Sequence, residues 1–64
     1  MSDTDVRTFC LHDPQSGDRI VQTADLARGR RVHAALPDDV RRRAAESFML
    51  VAPDLAPLLE WPRP

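Results

Sequence analysis

Cysteine, glycine and aromatic residues are scarce in this 64-residue chain, and lysine and tyrosine are absent altogether. Because Cys10 is its sole cysteine, the chain has no intramolecular disulfide, the device that stabilises many small extracellular domains. We therefore expect a reduced thiol and a cytoplasmic protein.

Long apolar runs are lacking as well. The first five residues are polar and acidic, unlike the basic start and apolar stretch of a secretory signal. The longest apolar run covers residues 48 to 53, whereas crossing a bilayer takes about 20 residues. We expect no export signal and no membrane partner.

The sequence also offers little to build an active site. Its two glycines, Gly17 and Gly29, are too far apart for a phosphate-binding loop. The potential nucleophiles Ser16, Ser47 and Cys10 lack the flanking glycines of a nucleophile elbow. The prediction is a chain that is not an enzyme and uses no cofactor.

The N-terminal part has the pattern of a β-hairpin. Residues 6 to 12 include β-branched and aromatic side chains that alternate along the segment, and residues 19 to 23 form a similar run. Between them, Asp13 suits the start of a tight turn and Gly17 can adopt the left-handed conformation that closes it. The sequence predicts a hairpin over residues 6 to 23.

The middle of the chain is less sharply patterned. Residues 23 to 29 are typical of a single helical turn, which Thr23 can cap and Gly29 can end. Residues 30 to 36 alternate apolar and polar side chains, which suits a third strand, although their alanines have low β-propensity. A third strand and an extended linker both remain open.

Residues 37 to 52 are expected to form the main helix. Pro37 is favoured in a first turn, and the two aspartates after it place negative charge at the positive end of the helix dipole. Apolar side chains recur at helical spacing, at Val40, Ala44, Phe48 and Val51. The segment from Phe48 to Ala52, however, is apolar on every side of such a helix, which one protein core does not cover.

A short second helix is expected over residues 54 to 61, because Pro53 stops the first helix and Asp54 can cap a new one. The predicted fold class is α+β. An N-terminal β-hairpin, with the third strand left open, packs on one main α-helix and a short C-terminal helix. The whole forms a single small domain over residues 1 to 64, with residues 1 to 5 flexible.

Surplus apolar surface and small size together favour a binding function. A domain of this length buries only about 60% of the surface of its unfolded chain and is marginally stable alone. Leucines at helical spacing with a terminal tryptophan are typical of a helix that anchors in a groove. We expect an accessory or regulatory protein of the antitoxin, inhibitor or minor-subunit type, which binds another protein or a second copy through Phe48, Met49, Leu50, Leu55, Leu58, Leu59 and Trp61.

The alternative is a dimeric DNA-binding regulator. Residues 28 to 43 hold six arginines against two aspartates, a local charge of +4, whereas the rest of the chain has three arginines against eight acidic residues, or −5. Such asymmetry can mark a surface for phosphates or for an acidic protein. The residues concerned are Arg28, Arg30, Arg31, His33, Arg41, Arg42 and Arg43.

Residues 31 to 40, RVHAALPDDV, resemble the strand that leads into a helix in ribbon-helix-helix regulators. In that family two copies pair their strands and read the major groove with outward side chains. The resemblance implies this role for Arg31, His33 and Ala35. The chain differs from the family in having an additional hairpin in front and a shorter second helix behind.

A third hypothesis is a metal- or thiol-dependent function at Cys10 and His12. These residues are two apart on a predicted strand and share a face. Asp13 and His33 would complete a set of four ligands. Metal motifs normally show two ligand pairs at characteristic spacing, and this sequence has one, so the prediction is that it holds no metal.

Overall fold

The computed structural model describes residues 4–63, which form an α+β fold. Three strands build one antiparallel sheet in the order β2-β1-β3, accompanied by three helices. The elements along the chain are β1 Val6–His12, β2 Arg19–Thr23, α1 Leu26–Ala35, α2 Asp38–Arg43, β3 Ala45–Val51 and α3 Ala56–Leu59. No helix among the described residues is long and apolar enough to cross a membrane.

The N-terminal hairpin is confirmed. β1 pairs antiparallel with β2, and the turn between them is closed by a hydrogen bond from the Gly17 amide to the Asp13 carbonyl (2.7 Å). The Asp13 carboxylate also accepts a hydrogen bond from the Gln15 amide (2.9 Å), as in many Asx turns. Gly17 has a φ of 78°, a left-handed conformation that a side chain disfavours.

The prediction of a strand or linker over residues 30 to 36 is wrong, because residues 30 to 35 lie in α1. The helix is capped at Asp25, whose side chain accepts a hydrogen bond from the Arg28 amide. Gly29 does not end a single turn but lies buried inside the helix, against the ring of Phe9. The helix ends where Leu36 becomes extended (ψ 152°), as expected of a residue before proline.

The predicted main helix over residues 37 to 52 is also wrong in most of its length. α2 ends at Arg43, Ala44 is extended, and residues 45 to 51 pair with β1 as strand β3. A strand suits this apolar run better than a helix, because alternate side chains then reach two different faces of the sheet. The third strand of the fold therefore lies here, and the longest helix is α1.

The core lies between the sheet and α1. Phe9, Leu11 and Val21 are buried, and Val32 and Leu36 pack against them. The expected C-terminal helix over residues 54 to 61 is present but reduced to the four residues of α3. Of the segment predicted to be flexible, residues 1 to 5, the first three lie outside the described residues.

Candidate functional site

Strand β3 forms one edge of the sheet. All seven of its residues pair with β1, from Ala45 opposite His12 to Val51 opposite Val6. Among residues 4–63, no strand lies on its other side. Val51 is its one buried residue, whereas the five before it are exposed. β3 thus presents an open row of backbone groups together with side chains on two faces.

Phe48 lies at the centre of this edge. It is opposite Phe9 in the register, and the two rings meet edge to face with centroids 5.7 Å apart. The guanidinium of Arg7 lies 4.0 Å from the centroid of the Phe48 ring, a cation–π contact. Phe48 is nevertheless 42% exposed, so the contacts orient the ring without covering it.

Met49 and Leu50 extend the apolar surface to both faces. Phe48 and Leu50 share the face of Phe9, and Met49 points to the other face, opposite Thr8. The buried hydroxyl of Thr8 donates a hydrogen bond to the Met49 carbonyl (3.0 Å), which ties β3 to β1. Met49 is 48% and Leu50 61% exposed.

Trp61 lies at the opposite edge of the sheet. It exchanges two backbone hydrogen bonds with Gln22 of β2 (2.8 and 2.7 Å), and its indole N–H donates to the Arg19 carbonyl (3.0 Å). The Arg19 guanidinium lies 4.8 Å from the ring centroid. The tail therefore folds back onto its own domain and covers part of the β2 edge.

The seven residues predicted to bind a partner consequently form two groups. Phe48, Met49 and Leu50 lie together on β3. The others lie in the segment around α3, where Leu55 and Leu58 are exposed and Leu59 is half-buried. A single helical binding surface, as the sequence suggested, is not what the fold presents.

Several arginines of the basic segment are engaged within the chain. Arg28 pairs with Glu60 and also donates to the Pro62 carbonyl (2.8 Å). Arg41 pairs with Asp38 on α2. The remaining candidates among residues 4–63, Arg30, Arg31 and Arg42, are exposed and make no ion pair.

The ion pair between Asp13 and Arg43 was not predicted from the sequence. Two guanidinium nitrogens of Arg43 donate to the two carboxylate oxygens of Asp13 at 3.0 and 3.1 Å. These hydrogen bonds lower the pKa of Asp13 and raise that of Arg43. The partners are 30 residues apart, so no local sequence pattern predicts the contact. It joins α2 to the hairpin turn.

The strand that the ribbon-helix-helix resemblance implies over residues 31 to 36 is not formed, because residues 31 to 35 are helical. Arg31, His33 and Ala35 lie on α1, so they do not alternate along a strand. His33 lies instead between the Glu46 carboxylate (3.6 Å) and the Arg41 carbonyl (3.2 Å). The outward strand residues that the resemblance implies are therefore not presented.

The side chains of the third hypothesis are not assembled into a metal site. Cys10 and His12 share the sheet face away from the ring of Phe9, and Cys10 lies 3.9 Å from the Thr8 hydroxyl. His33 lies on α1, and Asp13 is held by Arg43. Within the described part of the chain, no group of three or more metal-binding side chains comes together.

No model of a known protein family matches the sequence, and comparisons with curated proteins and with solved structures return no match.

Proposed function

We propose that this chain is a small non-catalytic accessory or regulatory protein that binds another protein by accepting a strand at the β3 edge. It would be of the antitoxin, inhibitor or minor-subunit type. The observation that carries the proposal is a seven-residue edge strand with three exposed apolar side chains. Strand addition uses the free backbone groups for affinity and the flanking side chains for specificity.

The composition of β3 supports the proposal. Proteins usually protect a sheet edge from unwanted pairing with proline, several charges or a bulge. β3 contains no proline and a single charged residue, Glu46, and it pairs with β1 without a register shift. The irregularity of the sheet lies instead between β1 and β2, near His12. An edge left so regular and apolar is suited to an incoming strand.

Two matched substitutions test the proposal. Leu50 on β3 and Leu58 in α3 are both 61% exposed, so lysine is tolerated at either position without a change in the core. We expect a partner captured from the native lysate by the unaltered chain to be lost with Leu50→Lys and kept with Leu58→Lys. Capture that is equal for both variants would contradict a role for β3.

The DNA-binding alternative depends on Arg30, Arg31 and Arg42, which are exposed and, unlike the other arginines of residues 28 to 43, make no ion pair. Phosphate contacts make affinity fall steeply with salt. Replacing all three by glutamine should abolish duplex binding at low salt if this function is the true one. The Leu50→Lys variant would then bind duplex DNA as the unaltered chain does.

A further inference from the structure

We propose that the partner strand at β3 is β3 of a second copy, so that two chains form one continuous six-stranded antiparallel sheet around a two-fold axis. This inference rests on the proposed function, since it takes β3 as the binding edge. It adds the identity of the occupant and the register in which it pairs.

The geometry of antiparallel pairing restricts the register. Residues that lie directly opposite each other point to the same face, so a two-fold axis normal to the sheet must pass beside one residue of β3. An axis at Phe48 pairs all seven residues of Ala45–Val51 with the second copy. An axis at Ser47 or Met49 leaves the last two residues at one end of each strand unpaired, so the longest ladder is centred on Phe48.

This register places apolar side chains together at the dyad. Phe48 lies opposite Phe48 of the second copy, and each ring already contacts the Phe9 ring of its own chain. A row of four aromatic rings would then run across the centre of the joined sheet. Aromatic pairs stabilise an interface beyond the area that they bury. This row would join two such pairs and cover Phe48, which is 42% exposed in the single chain.

The charges beside the dyad are complementary in the same register. Leu50 is flanked by Arg7 on β1 and would be flanked on its other side by Glu46 of the second copy. Arg7 already leans over β3, with its guanidinium on the Phe48 ring. The Glu46 side chain is 39% exposed, and one of its oxygens faces His33. Each dimer would contain two such rows, in which Arg7 and the second copy's Glu46 flank one Leu50, with no like charges opposite each other.

The surface of the single chain agrees with an uncovered edge. The chain exposes 4427 Å², slightly more than the roughly 4,100 Å² expected of a folded monomer of its mass. Its exposed large apolar side chains include all three at the centre of β3. A second copy would cover these three side chains without any other protein, because it is present wherever the chain itself is made.

Cysteine cross-linking tests the occupant and the register together. In a Cys10→Ser background, Phe48→Cys places two thiols directly opposite each other, with Cβ atoms about 4.5–5.5 Å apart, close to bridging distance. Ser47→Cys and Met49→Cys are the matched controls. In this register each introduced thiol lies diagonal to the same position of the second copy, about 7–8 Å away or more. Under mild oxidation we expect covalent dimers with Phe48→Cys and few with either control. Cross-linking mainly at position 47 or 49 would overturn the register.

Charge reversal provides a test that leaves Phe48 in place. Glu46→Arg should weaken dimerisation about tenfold, since the two charges that flank each Leu50 would then have the same sign and repel. Adding Arg7→Glu should restore the dimer, whereas Asp54→Arg, an exposed charge outside β3, should leave it unchanged. If Glu46→Arg abolished the dimer and the double variant did not restore it, the proposed placement of Arg7 and Glu46 on either side of Leu50 would be wrong.

Light scattering of the unaltered chain tests whether the partner at β3 is a second copy, separately from the proposed function. We expect a mass twice that of the 7.2 kDa chain at micromolar to millimolar concentration. A single-chain mass throughout that range would overturn the second copy as occupant. The proposed function would still stand if Leu50→Lys, and not Leu58→Lys, abolished capture of a different protein, and it would fall with the inference if neither variant did.

Discussion

Replacing Gly29 with alanine should destabilise the protein, although alanine is the better helix former. Gly29 lies in α1 directly over the buried ring of Phe9. A Cβ at this position would be 2.4 Å from Cδ2 and 3.0 Å from Cε2 of that ring. Carbon atoms pack at about 3.5–4.0 Å, so the ring or the helix must move by about 1 Å.

Two opposing terms set the magnitude. Exchanging glycine for alanine inside a helix favours folding by about 1 kcal/mol. Overpacking a filled core disfavours it by about 1–3 kcal/mol. Phe9 is 1% exposed, and its ring is held by Phe48 as well as by the helix, so the larger part of the penalty applies. We expect a net loss of about 1–2 kcal/mol in the free energy of unfolding.

Urea unfolding of four chains provides the assay: the unaltered protein, Gly29→Ala, Phe9→Leu and the double variant. Removing the aromatic ring makes room for the methyl group, so Gly29→Ala should become neutral or stabilising in the Phe9→Leu background. The coupling energy between the two positions should then be at least about 1 kcal/mol. Ala34→Gly, at an exposed position of α1, measures the propensity term alone. Equal stabilisation by Gly29→Ala in both backgrounds would refute the close contact.

Two further predictions concern contacts between distant segments. Because hydrogen bonds from Arg43 lower the pKa of Asp13 below 3.8, its ionised form should stabilise the fold above that pH, and the contribution should vanish as pH falls through the lowered value. In urea unfolding at several pH values, Asp13→Asn should therefore be less stable than the unaltered chain near neutrality and should approach it in acid. A constant difference would contradict the linkage. Trp61→Phe removes the indole N–H bond to the Arg19 carbonyl and should lower stability by about 1 kcal/mol, whereas an unchanged unfolding midpoint would show that this side-chain bond does not stabilise the fold.

The hairpin could be predicted because its signals are local. Alternation along β1 and β2 and the turn residues between them all lie within 18 successive positions, from Val6 to Thr23. Asp13 and Gly17 have the turn roles that their chemistry suggests. Where each local preference agrees with the global fold in this way, sequence patterns are informative.

The helices and β3 could not be predicted in the same way. The period of Val40, Ala44 and Phe48 fits a helix, yet Phe48 faces Phe9 across a sheet. What decides is pairing with β1, whose residues lie 33 to 45 positions away in sequence from their partners and offer backbone groups to all seven residues of β3. Such pairing overrides a weak local propensity. The prediction that Gly29 ends a helix is wrong for a related reason. The lack of a side chain at Gly29 allows α1 to pack closely on Phe9, a residue distant in sequence.

The apolar surplus in residues 48 to 50 is independent of these errors in secondary structure. A helix apolar on every side leaves one side uncovered, and an edge strand leaves both of its faces partly open. The exposures of Phe48, Met49 and Leu50, from 42% to 61%, are the consequence in the second case. What the fold changes is the mode of binding, from a helix in a groove to a strand at an edge. In the proposed mode the backbone would be part of the interface, and a partner would have to present an extended segment, as β3 of a second copy would.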